Sequence, residues 1–264
     1  MTGYRVTVRR TEHVTPLMVR ITVGGPGLAE YEGSGLPDES CRVRFGELTR
    51  NYTIRRRHPE RSELDIDFVL HEGGVAATWA RSARPGDEIT ISGSPAGKYR
   101  LPETAERLLV VGDATALPAI GRILEELPPT VAGHAVCVVD NPAERQDIVT
   151  HATIEWVYAD HRGAGEAVVQ AVRDRARPGV DEYLWVAGEA AATRTVRGHL
   201  RHTLGLPAEC YDTIGYWRLD AERWQRRYRE VAAVIDPKIA AAEAIADDEQ
   251  YFDVVDGIYA EAGL

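Results

Sequence analysis

A change of sequence pattern near residue 101 constrains the fold of this chain more than any other feature. Before it, short runs of β-branched and apolar residues alternate with turns rich in glycine and proline; after it, apolar runs alternate with longer segments of helical periodicity. The first pattern is typical of a small antiparallel barrel. The second is typical of a doubly wound parallel sheet. The sequence therefore predicts a β-barrel followed by an α/β domain.

The predicted elements follow this division. Strands are predicted at 4–10, 18–23, 41–45, 51–55, 63–70 and 88–92, with a turn at Ser94-Pro95-Ala96-Gly97. After a connector at 101–104, strands are predicted at 108–112, 135–140, 154–159 and 183–188, and helices at 116–127, 165–175 and 190–204. The predicted domains are 1–101 and 106–218.

The remaining residues, 219–264, predict a helical C-terminal extension. Helices are expected at 221–235, 238–246 and 251–260, with a break at Asp236-Pro237 because proline cannot continue a helix interior. The first of them carries an aromatic and aliphatic stripe, Trp224, Tyr228, Val231 and Ile235, which indicates a packing face.

Composition excludes several classes of function. A formal charge of −10 argues against nucleic-acid binding, and no apolar run is long enough to cross a bilayer, so we expect a cytoplasmic protein, monomer or homodimer, with no membrane partner. Three distant cysteines and scattered histidines predict neither a disulfide framework nor a metal site.

Positive charge is nevertheless concentrated between residues 41 and 61, where there are seven arginines and only two glutamates. Such a local excess within an acidic protein predicts an anion site. Substrate-binding candidates in and near this region are Arg42, Arg44, Arg56, Arg57 and Lys98.

Arg50-Asn51-Tyr52-Thr53 lies in a predicted strand, and period-two alternation places Arg50 and Tyr52 on one face. A cation suited to phosphate then lies beside an aromatic plane suited to a ring, and the Thr53 hydroxyl can donate to a ring nitrogen. Taken alone, the tetrad is better explained by cross-strand tyrosine packing beside an exposed arginine.

His71 precedes a glycine turn, Gly73-Gly74, and the small residues Ala76, Ala77 and Thr78 then open a helix. Exposed N–H groups at such a helix start form a cradle for a pyrophosphate. A glycine turn that only caps a helix is the alternative.

Two strand ends in the second half predict a ligand crevice, because ligands of open α/β sheets bind beyond the carboxyl ends of strands. One runs into Asp113 and Thr115, both competent helix N-caps, with Pro118 in the first helical turn. The other ends at Glu189, and the segment Gly215-Tyr216-Trp217-Arg218 follows later.

With these motifs in order, the chain resembles the siderophore-interacting proteins, ferric-siderophore reductases of the ferredoxin–NADP reductase-like superfamily. The resemblance covers about residues 4–218 and includes the strings R-N-Y-T-I-R, D-F-V-L-H, G-D-A-T-A-L-P-A-I, W-V-A-G-E-A and G-Y-W-R. It implies an N-terminal FAD-binding barrel, an NAD(P)H-binding α/β domain and reduction of a ferric siderophore, or of another small molecule, by NADH or NADPH.

The resemblance also implies which residues bind the cofactors. Those on the flavin side are Arg50, Tyr52, Thr53, Asp67, Val69, His71, Gly74, Ala76, Ala77 and Thr78; those around the nicotinamide crevice are Asp113, Thr115, Ala116, Pro118 and Glu189, with Tyr216 and Trp217 near the flavin. No catalytic side chain is implied, since the flavin carries the chemistry.

The chain departs from the family pattern in three places. The family usually has Asp-Glu-Thr at Asp113-Ala114-Thr115 and Gly-Pro at Gly74-Val75, and its chains commonly end in about one helix after Gly-Tyr-Trp-Arg. The altered Asp113 segment and the longer tail keep one alternative open: an FAD enzyme of secondary metabolism acting on an organic substrate, with or without nicotinamide and net redox change. A non-catalytic siderophore or flavin carrier is the third alternative. Asp140 ends a predicted strand, where an acidic residue favours NADH, while Arg145, Arg194 and Arg197 would favour NADPH.

Overall fold

The structure, a computed structural model, describes residues 3–93, 97–177 and 181–264. The chain divides into two compact units, Met1–Tyr216 and Trp217–Leu264. The predicted turn at 94–97 falls largely outside the described residues. The predicted domain boundaries at 101, 106 and 218 stay a prediction.

Six strands close into the predicted antiparallel barrel in the order β1-β2-β5-β4-β3-β6. They are β1 Gly3–Thr15, β2 Met18–Gly24, β3 Ser40–Phe45, β4 Leu48–His58, β5 Glu63–Val69 and β6 Glu88–Gly93, with helix α1 Val75–Ser82 between the last two. Inward-facing residues such as Ile21, Ile54 and Phe68 are at most 1% exposed and fill the barrel. β1 extends beyond the predicted residue 10 because its polar second half pairs with β2 from Thr11↔Ile21 to Thr15↔Met18.

A five-stranded sheet of order β11-β10-β7-β8-β9 follows the barrel. Its strands are β7 Arg107–Asp113, β8 Ala132–Val139, β9 Thr153–Tyr158, β10 Glu182–Glu189 and β11 Tyr211–Trp217; its helices are α2 Leu117–Glu125, α3 Ala164–Arg175 and α4 Ala190–Gly198. Strands β7 to β10 pair in parallel. The chain leaves β7 towards β8 and β9 and later returns to its other side with β10, so the carboxyl ends of β7 and β10 form a topological switch point.

Three buried polar contacts join the barrel to the sheet. The Arg55 guanidinium in β4 donates to both carboxylate oxygens of Glu125. Arg122 donates to the carbonyl of Ile54 at 3.0 Å, and Glu144, 5% exposed, accepts from the Thr15 hydroxyl and from the amide of Leu17. These contacts fix the junction because a buried carboxylate or guanidinium without its partner is costly.

The second unit contains helices α5 Ala221–Ala242 and α6 Asp248–Glu261. The predicted break at Asp236-Pro237 is wrong, since α5 continues through Pro237. Proline deprives the carbonyl of Ala233, one turn earlier, of its N–H partner. Ala233 and Pro237 are both exposed, so water can take the place of that partner.

Candidate functional site

Arg50 is exposed on β4 and donates to the carbonyl of Thr49 at 3.0 Å. It forms no ion pair within the ranges that the structure describes. On the neighbouring strand β3, Val43 is paired with Arg50, and Cys41 is paired with Tyr52. Arg50 and Tyr52 are two residues apart, so their side chains share one face of β4, as the pattern predicts. An exposed guanidinium without a carboxylate partner is suited to an anion such as a phosphate.

Tyr52 is partly buried in an aromatic group at one end of the barrel. Its ring centroid lies 4.3 Å from that of Phe68, and Phe45 and Trp79 complete the group. Burial raises the pKa of Tyr52 to about 12, although the nearby Arg50 lowers it, so the phenol is neutral at physiological pH. The protein itself covers part of the ring, and only the remainder is open to a planar ligand.

The glycine turn after β5 has the shape of a phosphate cradle. Gly73 and Gly74 have φ angles of 73° and 81°, and α1 starts directly after them without a side-chain cap. Ala76 and Ala77 bring only methyl groups to the first turn, where the N–H groups have no helical partner. This open helix start fits the pyrophosphate of FAD.

Two neighbours shape this cradle. A Cβ on Gly74 would lie 2.8 Å from the His71 ring, so the close approach of His71 requires glycine. Thr78 directs its hydroxyl back to the carbonyl of Gly74 at 2.9 Å and thus secures the turn. Both residues therefore border the turn, and their predicted contact with FAD stays a prediction.

Asp67 and Val69 occupy the strand that leads into the cradle. The side chain of Asp67 is completely covered and bonds to Arg20 on β2, at 2.7 and 2.8 Å. This carboxylate holds β2 to β5, so the cofactor contact predicted for Asp67 stays a prediction for its main chain. Val69 packs against the core under the sheet.

At the switch point, the β7 end is built around Asp113, which is 2% exposed. Its Oδ1 accepts from the amide and the hydroxyl of Thr115, at 2.9 and 2.6 Å. The N-cap of α2 is Ala116, so neither Asp113 nor Thr115 caps the helix as expected; their mutual bonds form a turn before it instead. Pro118 does lie in the first turn.

The β10 end meets the β7 end at Gly188. A Cβ there would lie 2.5 Å from Oδ2 of Asp113, so only glycine permits this approach. The next residue, Glu189, accepts from the amides of Ala191 and Ala192 and is the N-cap of α4. Sequence reasoning missed Gly188, although a glycine that ends a buried strand signals close backbone contact.

Tyr216 joins this crevice to the barrel. Its hydroxyl is hydrogen-bonded to that of Thr53, which is 7% exposed on β4, and burial raises its pKa. The ring meets that of Trp185 edge to face, with centroids 6.3 Å apart. The predicted residue Trp217 ends the same strand. The flavin tetrad and the strand ends of the sheet are thus brought together at Thr53 and Tyr216.

The five predicted substrate-binding residues differ in exposure and in the groups that they contact. Arg42 and Arg44 share one face of β3, and Arg44 is exposed. Arg56 contacts Glu125 at 3.3 Å, and Arg57 donates to the carbonyl of Tyr31 at 3.0 Å. Lys98 is exposed in the segment between β6 and β7. Arg57 therefore has a structural partner.

The structure also contains a partly buried acid that the sequence did not reveal, near the start of β10. Asp212 on β11 accepts from the Tyr183 hydroxyl at 2.6 Å, and that hydroxyl accepts from the amide of Arg100 at 2.9 Å. Burial raises the pKa of Asp212 to about 6; the hydrogen bond from Tyr183 and the charges of Lys98 and Arg100 oppose the shift, while Asp38 adds to it.

Asp212→Asn is expected to stabilise the protein at pH 8 and to have little effect at pH 4. The folded-state pKa lies above the ordinary value of 3.8, so the fold favours the protonated acid and loses stability as pH rises from about 4 to 6. The shift corresponds to at most about 3 kcal/mol, and partial exposure reduces this to about 1–2 kcal/mol. Urea unfolding at both pH values measures it.

The matched control is Asp181→Asn, which removes a half-exposed carboxylate paired with Arg107 at 3.1 Å. It should change the free energy of unfolding by less than about 1 kcal/mol at either pH. An Asp212→Asn effect that is the same at pH 4 and pH 8 would contradict the assigned titration.

An open helix start after a glycine turn on a closed barrel, and a parallel sheet joined to that barrel at the Thr53–Tyr216 contact, are the features of a flavin-binding protein with a ferredoxin reductase-like fold. The mutant ferredoxin-NADP+ reductase of Plasmodium falciparum shares this fold, with a TM-score of 0.63 at 12% identity over 81% of this chain and 96% of that one.

The chain belongs to the siderophore-interacting protein family. The model described as "Siderophore-interacting protein" matches residues 105–220, and that of the siderophore-interacting FAD-binding domain matches residues 44–99. The chain is 31% identical to the NADPH-dependent ferric-chelate reductase of Escherichia coli over 80% of its length and 91% of that protein. A siderophore utilization protein from T. fusca superposes with a TM-score of 0.75 at 28% identity, covering 83% and 94% of the two chains. The family resemblance in the sequence is confirmed.

Within the described residues, no helix is both long enough and apolar enough to span a membrane. The same residues contain no cluster of three or more histidine, cysteine or acidic side chains that could hold a metal.

Proposed function

We propose that this protein is an FAD-dependent reductase that transfers electrons from NADH or NADPH to a ferric siderophore. One observation carries the proposal: the Thr53–Tyr216 contact joins the barrel that holds the phosphate cradle to the sheet that holds the switch-point crevice. A flavin ring at this contact would face a nicotinamide in the crevice. The names of the related reductases support the same activity.

The residues of the chain bind and orient the cofactors. The first-turn amides of α1 and the Arg50 guanidinium meet the FAD phosphates, while Tyr52, Thr53 and Tyr216 border the ring. Asp113, Gly188 and Glu189 shape the floor of the nicotinamide crevice, and Ala116 and Pro118 start the helix beside it. FAD, when bound, accepts a hydride and passes on single electrons, so no protein acid or base is required.

The substrate side depends on charge. One electron converts the hard Fe³⁺ of the chelate to Fe²⁺, whose bonds to siderophore oxygens are weaker, so the iron is released. Two ferric ions are reduced for each nicotinamide oxidised. Arg42 and Arg44 attract an anionic chelate to the barrel side of the site. We place the protein in the cytoplasm, where NADH and NADPH are available, as a monomer or homodimer.

The nicotinamide preference is a separate part of the proposal. Asp140 follows β8 directly and is exposed, which suits a ribose diol and favours NADH. Arg145 donates to the Tyr158 hydroxyl and lies over that ring, so this cation has a partner of its own at the end of β9. Comparing kcat/KM for NADH and NADPH decides the question, and a preference for NADPH would contradict it.

The substrate is tested by anaerobic turnover. Protein loaded with FAD is mixed with NADH or NADPH and a ferric catecholate siderophore, and a ferrous-specific chelator reports Fe²⁺. We expect Fe²⁺ to form at two equivalents per nicotinamide. If the flavin is reduced but Fe²⁺ does not form with catecholate, hydroxamate or carboxylate chelates, the activity on ferric siderophores is refuted.

A further inference from the structure

We infer that Asp38 is a positioning residue for the Thr53–Tyr216 pair and that it acts through the indole of Trp185. The inference rests on the proposed function, because that pair is where the flavin and the nicotinamide would meet. Asp38 lies in the loop before β3 and is 3% exposed, yet it belongs to no sequence motif.

The first step is the way in which the Asp38 carboxylate is held. Its Oδ2 accepts from the amides of Lys98 and Tyr99 at 2.7 and 2.9 Å, in the connector between barrel and sheet. Its Oδ1 lies so close to Gly97 that a Cβ there would be 1.7 Å away. The carboxylate is thus fixed by two charge-assisted hydrogen bonds on one side and by backbone contact on the other.

The second step is the bond from Asp38 to the sheet. The same Oδ2 accepts from Nε1 of Trp185, in the middle of β10, at 3.3 Å. Trp185 is 0% exposed, so its indole N–H has no access to water and depends on this acceptor. The hydrogen bond therefore fixes the plane and rotation of the indole ring.

The third step leads from the indole to the crevice. Trp185 and Tyr216 meet edge to face, with ring centroids 6.3 Å apart and planes inclined by 78°. Such a contact depends on the relative ring orientation, so a rotated indole displaces Tyr216. Tyr216 in turn is hydrogen-bonded to Thr53 of the flavin tetrad. Asp38 thereby controls the geometry of a pair that it does not touch.

Asp38 could instead serve only to attach the connector to the barrel. Trp185→Phe separates the two roles, because it removes the indole N–H and leaves both connector amides bonded to Asp38. Asp38→Asn keeps an acceptor oxygen without the charge, and Asp38→Ala removes the acceptor. Glu144→Ala is the matched control, since Glu144 is equally buried and also accepts an amide and a side-chain donor across the junction, but contacts neither aromatic ring.

The test uses full-length protein loaded with FAD and measures flavin reduction by the preferred nicotinamide under anaerobic conditions, together with the visible circular dichroism of the flavin. Asp38→Ala and Trp185→Phe should lower the maximal rate by roughly tenfold to hundredfold, with KM changed less than about threefold. Asp38→Asn should retain the rate within about threefold. Only Asp38→Ala and Trp185→Phe should alter the flavin dichroism. Glu144→Ala should lower the melting temperature while leaving rate and dichroism unchanged.

Equal rate losses in Asp38→Ala and Glu144→Ala, or a normal rate in Trp185→Phe, would overturn the positioning role. Inactive wild-type protein would refute the proposed function instead. If the wild-type protein is inactive, or if a variant is too unstable to assay, the NMR resonance of the Trp185 indole N–H is followed in flavin-free protein. It should shift in Asp38→Asn but not in Glu144→Ala, and an unshifted resonance would overturn the inference.

Discussion

Glu125→Ala is expected to lower the free energy of unfolding by about 3–5 kcal/mol, because it leaves a buried guanidinium without its partner. The side chain of Arg55 is 7% exposed, and both of its terminal nitrogens donate to Glu125. The Arg55 Nε has no partner among the described residues, and a Cβ added at Gly121 would lie 3.0 Å from the guanidinium.

This loss should depend on pH in a defined direction. Burial raises the pKa of Glu125, but the bonds from Arg55 and the charge of Arg56 outweigh burial and bring it below its ordinary value of 4.5. A lowered pKa contributes stability above the ordinary value, and that contribution disappears as pH falls through the folded-state pKa. The deficit of Glu125→Ala should therefore be full at pH 7 and smaller below about pH 4, as urea unfolding measures.

The adjacent glutamate provides the control. Glu126 contacts Arg122 at 3.3 Å, but it is half exposed, and Arg122 retains its bond to the Ile54 carbonyl. Glu126→Ala should cost less than about 1 kcal/mol. Similar losses at both positions would show that Arg55 finds another partner and would contradict the assigned junction.

Gly74→Ala is expected to weaken FAD binding by at least roughly tenfold, through the phosphate cradle. A Cβ at this position collides with the His71 ring at 2.8 Å, and the backbone is left-handed, with φ of 81°. Either His71 or the start of α1 must move, and both border the cradle. The dissociation constant is measured by titrating flavin-free protein with FAD and following the quenching of flavin fluorescence.

Gly46→Ala separates backbone strain from the collision. Gly46 is also left-handed, with φ of 59°, but a Cβ there meets no atom within 4 Å. This variant should lose about 1 kcal/mol of stability and bind FAD normally. Unchanged FAD affinity in Gly74→Ala would show that the pyrophosphate lies elsewhere.

The sequence predicted those parts of the fold that depend on local pattern. Six barrel strands and four strands of the sheet were predicted, because each is an apolar run between turns. Strand β11 was missed because residues 211–217 mix aromatic, acidic and glycine residues in no clear period. The helix break predicted at Pro237 was wrong, because an exposed helix tolerates one carbonyl without an N–H partner.

The candidate site likewise has parts that the local sequence pattern predicts and parts that it does not. The glycine turn and the strand ends carry local signals, and the structure places them where the pattern indicates. Asp38 could not be found in this way, because 147 residues separate it from Trp185. The ion pair of Asp67 could not be found either, since its partner Arg20 becomes apparent only when β2 and β5 pair.

The central claim is that this chain binds FAD at the Thr53–Tyr216 contact and reduces it with a nicotinamide. Anaerobic stopped-flow mixing of the FAD-loaded protein with NADH and, separately, with NADPH tests it most directly. We expect the visible absorbance of the oxidised flavin to disappear with at least one of the two. Flavin colour that persists with both nicotinamides, in protein shown to hold FAD stoichiometrically, would contradict the account.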